Sequence, residues 1–342
     1  MQSKDPNELQ TRKSDHLELA KKAQLPSDTL DTRFDFEPLL SGHPQDDHLG
    51  LETEFLGKKM RAPLWISSMT GGTKEAGDLN RLFASVAAEF GLGFGLGSCR
   101  ILFDDPTRWS DFDLRPFLGE DLPFYANLGV AQIEGLLKKN EVSKVVALVE
   151  RLRVDGLIIH INPLQEWFQP GGDRFEQPPL QTITQFLEKF PHKVIVKEVG
   201  QGFGPRSLEE LMKLPLAAID FGSYGGTNFT KLEMMRSKVT DFSSFADFSY
   251  VGHTADEMVL LADRLLDKLG NKALCKNFII SGGIKNSLHG FYLMNKLRGP
   301  CVYAQAKAFL EKGREGYPAL KTFVVNELRG LALARSFLRI KN

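Results

Sequence analysis

Short apolar runs recur along the chain from about residue 62 onward, and they indicate buried β-strands. Several are near-continuous stretches of β-branched and aromatic residues, such as GLIIHIN and KVIVKEV, which are typical of strands covered on both faces. Segments with the apolar spacing of helices lie between these runs. The predicted strands span 62–68, 93–97, 123–127, 156–162, 193–199, 216–222, 277–281 and 301–305, and the predicted helices span 75–90, 134–153, 180–190, 207–214, 256–269 and 288–297.

Eight strands that alternate with helices predict an α/β protein with a parallel sheet. An open doubly wound sheet would alternate as well, but eight evenly spaced units within about 240 residues favour closure into a (β/α)₈ barrel, the TIM barrel. We therefore predict one barrel domain over residues 56–342, preceded by a polar tail over residues 1–55. No regular pattern holds between residues 222 and 250, so a long loop is expected after the sixth strand.

Composition narrows the possible partners. The 342 residues are 42% hydrophobic and 25% charged, which is typical of a globular protein with a sizeable core. Lysine and arginine (43) balance aspartate and glutamate (43), so no overall positive field points to nucleic acid or to an anionic membrane. Three widely spaced cysteines predict neither a disulfide framework nor a zinc site. Without a signal peptide or a transmembrane run, we expect a cytoplasmic protein.

The residues that end the strands are the candidates for chemistry, because the active site of such a barrel lies at the carboxyl ends of its strands. Every predicted strand ends in polar or glycine residues, and eight such ends together suggest a large, polar, anion-bearing ligand. The Ser281-Gly282-Gly283 run offers bare backbone N–H groups to a phosphate, although a simple strand-to-helix turn would have the same sequence. The strand-end candidates are Ser68, Met69, Thr70, Ser98, Arg100, Asn127, His160, Asn162, Gln165, Glu166, Lys197, Thr227, Gly282, Gly283, Lys285, Ala306 and Lys307.

The HINPLQE segment is the most specific of these ends. His160 and Asn162 share one face if they lie on a strand, Pro163 ends that strand, and Gln165 and Glu166 follow on a loop. One carboxylate among neutral polar groups suits Mg²⁺, which completes its coordination with water and substrate phosphates. A buried histidine with a solvated glutamate is the alternative.

Two other strand ends leave their roles open. Lys197 ends an apolar strand, where an unpaired ammonium is costly, so it pairs with a bound anion or with Glu198 or Asp220, or it forms a Schiff base. Cys99 is interpreted as a packing residue. Its neighbour Arg100 has the planar fork that suits a diphosphate.

Taken together, these motifs resemble the type 2, flavin-dependent isopentenyl diphosphate isomerases over nearly the whole chain. HxNxxQE and RKxxH in this order around SMTGG are the specific part, whereas SGG or GGT alone would be weak. The motifs are RKxxH (Arg12, Lys13, His16), SMTGG (68–72), GS-x-R (97–100), NLG (127–129), HxNxxQE (160–166), the strand-end Lys197, GGT (225–227) and SGG (281–283).

The resemblance implies a barrel that binds FMN at its mouth, together with Mg²⁺ and an isoprenoid diphosphate. The implied reaction interconverts isopentenyl and dimethylallyl diphosphate by a 1,3-allylic proton shift, with reduced FMN acting as the acid–base and NADPH usually supplying the electrons. The family is commonly tetrameric, sometimes octameric.

The resemblance also implies a role for each candidate. Gln165 would lie over the flavin near the alkene, His160 would share the catalytic region, and Glu166 would hold Mg²⁺. The diphosphate would meet Arg12, Lys13, His16, Arg100, His160 and Asn162. FMN would contact Ser68, Met69, Thr70, Ser98, Asn127, Lys197 and Thr227, with its phosphate near Gly282, Gly283, Lys285, Ala306 and Lys307.

This chain departs from the family pattern in three places. Position 99 is Cys where Gln is common, AKAFL (306–310) stands where A-R-P-F-L is usual, and the 228–250 segment is longer and more aromatic. The tail and the 222–250 segment are expected to close over the mouth when diphosphate binds.

The alternative enzyme is an FMN-dependent 2-hydroxy acid oxidase. Such an oxidase needs a histidine and an arginine in an HGGR-like run, where this chain has SYGGT (223–227). A flavin-binding sensor without turnover is a more distant alternative, because it would need no diphosphate or Mg²⁺ site.

Overall fold

The computed structural model describes residues 6–45, 49–237 and 241–341. Eight parallel strands close into a barrel, with helices around it. The strands of the described residues are β1 (Phe34–Phe36), β2 (Thr53–Phe55), β3 (Lys58–Met60), β4 (Leu64–Ile66), β5 (Gly93–Gly95), β6 (Phe124–Gly129), β7 (Gly156–Ile161), β8 (Lys193–Glu198), β9 (Ala218–Asp220), β10 (Phe278–Ile280), β11 (Cys301–Gln305) and β12 (Leu338–Ile340). The strand order around the barrel is β10-β11-β4-β5-β6-β7-β8-β9.

The helices follow the barrel strands or extend the two ends of the chain. None of those in the described ranges has both the length and the apolar character needed to span a membrane. They are α1 (Pro6–Leu19), α2 (Lys74–Phe90), α3 (Ile101–Asp104), α4 (Arg115–Leu118), α5 (Val130–Lys138), α6 (Val142–Leu152), α7 (Pro163–Phe168), α8 (Pro179–Leu187), α9 (Pro205–Met212), α10 (Phe229–Arg236), α11 (Ala255–Leu269), α12 (Ser287–Lys296), α13 (Lys307–Glu315) and α14 (Tyr317–Phe337).

The predicted barrel is confirmed, and each of the eight predicted strands overlaps a barrel strand. The predicted helix over 134–153 is wrong as a single element, because Asn140 adopts a left-handed conformation (φ 55°) and separates α5 from α6. The expectation of an irregular 222–250 segment is also wrong in part. Asn228 caps α10 by accepting the Lys231 N–H, and a 3₁₀ helix follows over Ser243–Tyr250.

The aromatic residues of that segment pack on the barrel mouth. Phe168 of α7 is buried, and its ring centroid lies 5.1 Å from that of Phe242, 5.9 Å from that of Phe245 and 6.4 Å from that of Phe248. Phe245 and Phe248 remain exposed on their other sides, so ring contacts with Phe168, not burial in the core, hold this segment. Such contacts produce no helical apolar spacing, which is why the sequence pattern did not reveal the segment's structure.

The β2–β3 hairpin covers the amino ends of the barrel strands. Phe55 and Met60 of the β2–β3 hairpin pack against Trp65, Tyr125 and Ile158 in the barrel interior. Lys193, the first residue of β8, donates to the Leu56 carbonyl in the same hairpin at 2.7 Å. The hairpin therefore fills the barrel interior at the amino ends of the strands, opposite the carboxyl ends at which the sequence predicts the ligand.

The predicted tail contributes structure as well as exposed chain. β1 pairs antiparallel with β12, with Phe34 opposite Ile340. The residues of α1 from position 10 onward are exposed. The predicted boundary at residue 55 stays a prediction. β2 ends at this residue and pairs with β3, which lies on the other side of the boundary.

Candidate active site

A cavity of about 430 Å³ lies at the carboxyl ends of the barrel strands. This volume falls within the usual range for small-molecule sites. All eight strands, or the turns that follow them, contribute residues to its wall. The predicted site residues that line it are Ser68, Met69, Ser98, Asn127, His160, Gln165, Lys197, Thr227, Gly282, Gly283, Lys285, Ala306 and Lys307.

Two glycine loops and a helix N-terminus form one side of the cavity. Gly282 and Gly283 adopt positive φ values (86° and 71°), and a Cβ at Gly282 would lie 2.1 Å from the Ser223 carbonyl oxygen. A Cβ at Gly226 would lie 3.0 Å from the Gly283 nitrogen, so the loops after β9 and β10 pack backbone against backbone. Ala306 precedes α13, whose N-terminus also borders the cavity. Bare N–H groups of this kind suit a phosphate.

Lys197 on β8 forms a buried ion pair. Its Nζ lies 3.5 Å from Asp220 Oδ1 and donates to the Glu198 carbonyl at 3.0 Å. Asp220 also accepts a short hydrogen bond from Ser281 Oγ. Burial raises the pKa of Asp220, while the charge of Lys197 opposes that rise. Of the alternatives for Lys197, the structure contains the pair with Asp220, and the lysine borders the cavity at the same time.

Glu198 does not contribute its carboxylate to the Lys197 pair. Its Oε2 instead accepts the backbone N–H groups of Gly200, Gln201 and Gly202 at 2.8, 2.6 and 2.8 Å. Burial raises the pKa of Glu198 to about 7 in spite of these three donors. The carboxylate therefore fixes the turn after β8, from which Val199 and Gly200 face the cavity.

His160 at the end of β7 is held by the neighbouring strand. Its Nδ1 lies 2.7 Å from Asn127 Oδ1 on β6. Burial, and then the charge of Lys197, lower the pKa of His160 to about 4. The imidazole is therefore neutral at pH 7 and is oriented by Asn127.

Gln165 and Glu166 lie on the short helix α7, not on the loop that the sequence suggested. The strand ends at Ile161, so Asn162 starts this helix instead of continuing the strand face of His160. Its Nδ2 donates to Gln165 Oε1 at 3.2 Å and to Glu166 Oε1 at 3.0 Å. Asn162 and Glu166 are buried, and neither is among the residues that border the cavity.

The oxygen groups around Glu166 fit the expected Mg²⁺. Asn162 Oδ1 is buried without a hydrogen-bond partner in the described structure, next to a carboxylate that keeps unused lone pairs. Glu233 of α10 also lies close by, since the charge of Glu166 adds to the burial that raises the pKa of Glu233. Within the described ranges no group of three or more His, Cys, Asp or Glu residues is arranged to hold a metal ion. Such a site would use one or two carboxylates and leave the other positions to phosphate and water.

Several predicted residues lie outside the cavity wall. Thr70 is buried and donates a short hydrogen bond to Asn80. Arg100 lies at the mouth, with its Nη1 3.0 Å from Asp173 Oδ2. Arg12, Lys13 and His16 are exposed on α1. The structure therefore does not bring the three tail residues into the cavity.

The burial of Cys99 agrees with its interpretation as a packing residue. Burial raises the pKa of its thiol to about 12, which leaves it protonated and unreactive at neutral pH.

Unpartnered polar atoms in the cavity wall fit a polar cofactor. Among the described residues, Ser68 Oγ and Gln305 Oε1 are buried without hydrogen-bond partners, and both residues border the cavity. Asp220 Oδ2, next to Lys197, has no hydrogen-bond partner there either. Buried polar groups normally have partners, so these atoms indicate a ligand or bound water. Together with the glycine loops, they fit FMN.

Comparison with known proteins identifies the family. No family model matches the chain. The isopentenyl-diphosphate delta-isomerase of Deinococcus radiodurans is 31% identical over 337 residues, which cover 97% of this chain and 95% of that protein. The chain belongs to the isopentenyl-diphosphate delta-isomerase family. Its relative of the same name in Rickettsia akari is 33% identical over 84% of this chain and 82% of that protein, and the one in Cronobacter sakazakii is 37% identical over 67% and 66%.

Solved structures agree on the fold. A flavocytochrome b2 variant with benzoylformate matches with a TM-score of 0.61 and 12% identity, covering 90% of this chain and 75% of that one. A mandelate oxidase variant with a monooxide FMN adduct matches with a TM-score of 0.54 and 10% identity, over 90% and 87%. At this identity the likeness concerns the barrel alone.

The structure adds residues that the sequence motifs did not single out. Phe229 and Ser223 border the cavity, and Asp173 and Gln132 form hydrogen bonds with groups at its mouth. Only their nearness to predicted strand ends hinted at them. Side chains joined across the fold have no local signature in a single sequence.

Proposed function

We propose that this isomerase interconverts isopentenyl diphosphate and dimethylallyl diphosphate by a 1,3-allylic proton shift in isoprenoid biosynthesis. Reduced FMN and Mg²⁺ are the proposed cofactors, and NADPH is the proposed reductant. The observation that carries the proposal is the layout of one cavity. Its phosphate-type loops follow β10 and β11, while His160 and Gln165 belong to β7 and α7, and β7 faces β11 across the closed barrel. Relatives of that name over most of the chain support the choice of substrate.

The residues divide between cofactor and substrate along this layout. When bound and reduced, FMN would supply an electron-rich ring and the acid–base group that an unactivated alkene needs. Its phosphate would be held by Gly282, Gly283, Lys285, Ala306 and Lys307. The remainder of the cofactor would contact Ser68, Met69, Ser98, Asn127, Lys197 and Thr227, while Thr70, which lies behind the cavity wall, would support this side of the site through Asn80.

The substrate diphosphate is assigned to the mouth between β5 and β7. Arg100, His160 and Asn162 would bind it, Glu166 would hold Mg²⁺ against it, and Arg12, Lys13 and His16 would reach it from the tail. These tail residues are exposed and do not border the cavity of their own chain, so they would reach it after a movement of α1 or would serve the cavity of a neighbouring subunit. Such a movement would also exclude water from the reacting alkene.

Gln165 and His160 are the proposed catalytic residues of the chain itself. An amide does not titrate, so Gln165 would hydrogen-bond and orient groups at the alkene. His160, with a pKa of about 4, is a neutral imidazole at pH 7 and would act as a hydrogen-bonding group and not as an acid. The proton adds at the terminal alkene carbon and leaves from the carbon next to the diphosphate-bearing methylene, with no net redox change.

The 2-hydroxy acid oxidase alternative lacks its catalytic groups. Such a site needs a histidine base beside an arginine that binds the substrate carboxylate. Within the described residues that border the cavity there is one histidine, His160, and no arginine, and SYGGT follows β9. Fold similarity to a mandelate oxidase at 10% identity does not replace those groups.

A homo-oligomer, tetramer or octamer, in the cytoplasm completes the proposal. The free thiols of Cys99, Cys275 and Cys301 suit a reducing compartment. The exposed α1 offers a surface for a neighbouring copy.

Anaerobic turnover of isopentenyl diphosphate tests the proposed function. The complete mixture contains enzyme, FMN, Mg²⁺ and NADPH, and each component is omitted in turn. Formation of dimethylallyl diphosphate that stops when flavin, reductant or metal is left out is the expected result. A bound, reducible flavin with no product would favour the oxidase, and a panel of 2-hydroxy acids would then be tried.

A further inference from the structure

Asp173, in the loop between α7 and α8, joins groups from three barrel strands. Its Oδ2 accepts a hydrogen bond from Arg100 Nη1, after β5, at 3.0 Å, and one from Gln132 Nε2, after β6, at 2.8 Å. Its backbone N–H donates to Glu166 Oε2, after β7, at 2.8 Å. A single residue therefore contacts both the candidate diphosphate arginine and the candidate metal ligand.

The carboxylate of Asp173 is held from the rigid side of the barrel. Gln132 donates to it and also accepts the Gly129 N–H at 2.8 Å, so the amide is fixed at both ends. Gly129 ends β6, and a Cβ there would lie 2.4 Å from Gln132 Oε1 and 2.8 Å from His160 Nε2. The hydrogen bonds through Gln132 therefore fix the position of Asp173 relative to β6, the strand that also carries Asn127.

The loop of Asp173 packs equally closely on Glu166. Arg174 Nη1 donates to the Glu166 carbonyl at 2.6 Å, and a Cβ at Gly172 would lie 2.1 Å from that carbonyl oxygen. Glu166 is buried and receives Asn162 on one carboxylate oxygen and Asp173 on the other. The orientation of this carboxylate is therefore set from two sides.

We propose that Asp173 is a positioning residue whose carboxylate presets Arg100 for a Mg²⁺-bound diphosphate, next to the Glu166 carboxylate that the backbone N–H of the same residue holds. The side chain of Arg100 is 53% exposed, and without a partner it would lose rotamer freedom only on binding, at the expense of affinity. The guanidinium has five N–H donors, so one bond to Asp173 leaves others for phosphate oxygens. This inference rests on the proposed function for its substrate, but inorganic pyrophosphate tests it directly.

Binding of Mg²⁺ and inorganic pyrophosphate to the flavin-loaded protein is the decisive measurement. Calorimetry on Asp173→Ala is expected to show a roughly tenfold weaker pyrophosphate affinity, the size of one charge-assisted hydrogen bond. Asp173→Asn keeps an acceptor oxygen for both donors and should retain most of the affinity. FMN affinity should be unchanged in both variants. The matched control is Asp263→Ala, which removes the exposed Arg298–Asp263 pair on the outer helix α11 and should leave pyrophosphate binding unchanged.

Turnover separates this inference from the proposed function. With isopentenyl diphosphate, Asp173→Ala should raise KM roughly tenfold and change kcat by less than about threefold, because the restraint acts on binding. The inference would be overturned if Asp173→Ala binds pyrophosphate with wild-type affinity, or if it loses kcat and FMN binding to the same extent as pyrophosphate binding. It would also be overturned if Asp173→Asn does not recover the affinity, or if the wild-type enzyme does not bind Mg²⁺-pyrophosphate. Pyrophosphate binding without isomerase turnover would instead reject the proposed function, and the calorimetry alone would judge Asp173.

Discussion

Replacing Lys197 with Met should destabilise the barrel strongly, because it leaves Asp220 buried without its cation. The two charges are 3.5 Å apart, and the Asp220 side chain is 0% exposed while that of Lys197 is 9% exposed. At an effective dielectric constant of about 20, their attraction is about 5 kcal/mol. Removal of one partner from a buried pair typically costs about 3–5 kcal/mol, and we expect Lys197→Met to lose a similar amount of unfolding free energy.

The double variant Lys197→Met/Asp220→Asn separates charge from packing. It removes the orphaned carboxylate and keeps an oxygen for Ser281, so it should recover most of the lost stability. The loss in the single variant should also shrink as the pH falls, because a protonated Asp220 needs no cation. Burial already raises the pKa of Asp220 in the intact protein.

Urea unfolding of flavin-stripped protein at pH 7, followed by circular dichroism, measures these differences. Flavin is removed because bound ligand adds its own binding free energy to the stability. Lys285→Met, at an exposed lysine of the same cavity, is the control and should change stability by less than about 0.5 kcal/mol. A loss below about 1 kcal/mol in Lys197→Met, or a further loss on adding Asp220→Asn, would refute the reasoning.

Three further predictions concern turnover, flavin binding and pH. Gln165→Ala should lower kcat by about 100-fold or more with FMN affinity retained, and unchanged turnover would remove Gln165 from the proton path. Gly282→Ala should weaken FMN binding at least about tenfold, as measured by flavin fluorescence, because the φ of 86° and the Ser223 carbonyl oxygen exclude a Cβ at this position. The control Gly42→Ala, whose Cβ would have no atom within 4 Å, should bind FMN normally. Between pH 6.5 and 4 the unfolding free energy of the wild type should fall by up to about 3 kcal/mol more than that of His160→Asn. Over this range the histidine of the unfolded chain, with its higher pKa, binds a proton, whereas the folded His160, with a pKa of about 4, stays largely neutral. Equal pH dependence of the unfolding free energy in the wild type and in His160→Asn would contradict this.

The comparison with His160→Asn is needed because Glu198 acts in the opposite sense. Its folded pKa of about 7 lies above the ordinary value of 4.5, so its contribution to stability is present at low pH and is lost as the pH rises toward 7. The pH profile of the wild type alone would mix the two. Subtracting the variant's profile isolates the histidine.

Local sequence pattern predicted the barrel well, because buried parallel strands need continuous apolar runs. The run over 193–199 became β8 over Lys193–Glu198, and 301–305 matched β11. The polar residues 138–141 (KKNE) contain neither glycine nor proline, so the turn at Asn140 was not predicted. The 3₁₀ helix over Ser243–Tyr250 was not predicted either, since the contacts that hold it are rings packed on Phe168.

The candidate site could be predicted in its parts but not in its connections. Strand ends identified His160, Lys197 and the glycine loops, because barrel geometry brings all strand ends together. The Arg100–Asp173 bond joins residues 73 apart, and no local pattern encodes such a contact. The tail residues illustrate the opposite case, in which a motif implied a site and the isolated chain leaves them on an exposed helix.

The most direct test of the central claim is turnover in D₂O. Flavin-loaded enzyme is reduced anaerobically, supplied with Mg²⁺ and isopentenyl diphosphate, and followed by proton NMR and by the flavin spectrum. We predict dimethylallyl diphosphate with deuterium in its methyl groups and a flavin that stays reduced, since the reaction has no net redox change. No allylic product and no deuterium incorporation, with the oxidised enzyme instead reduced by a 2-hydroxy acid, would contradict the account.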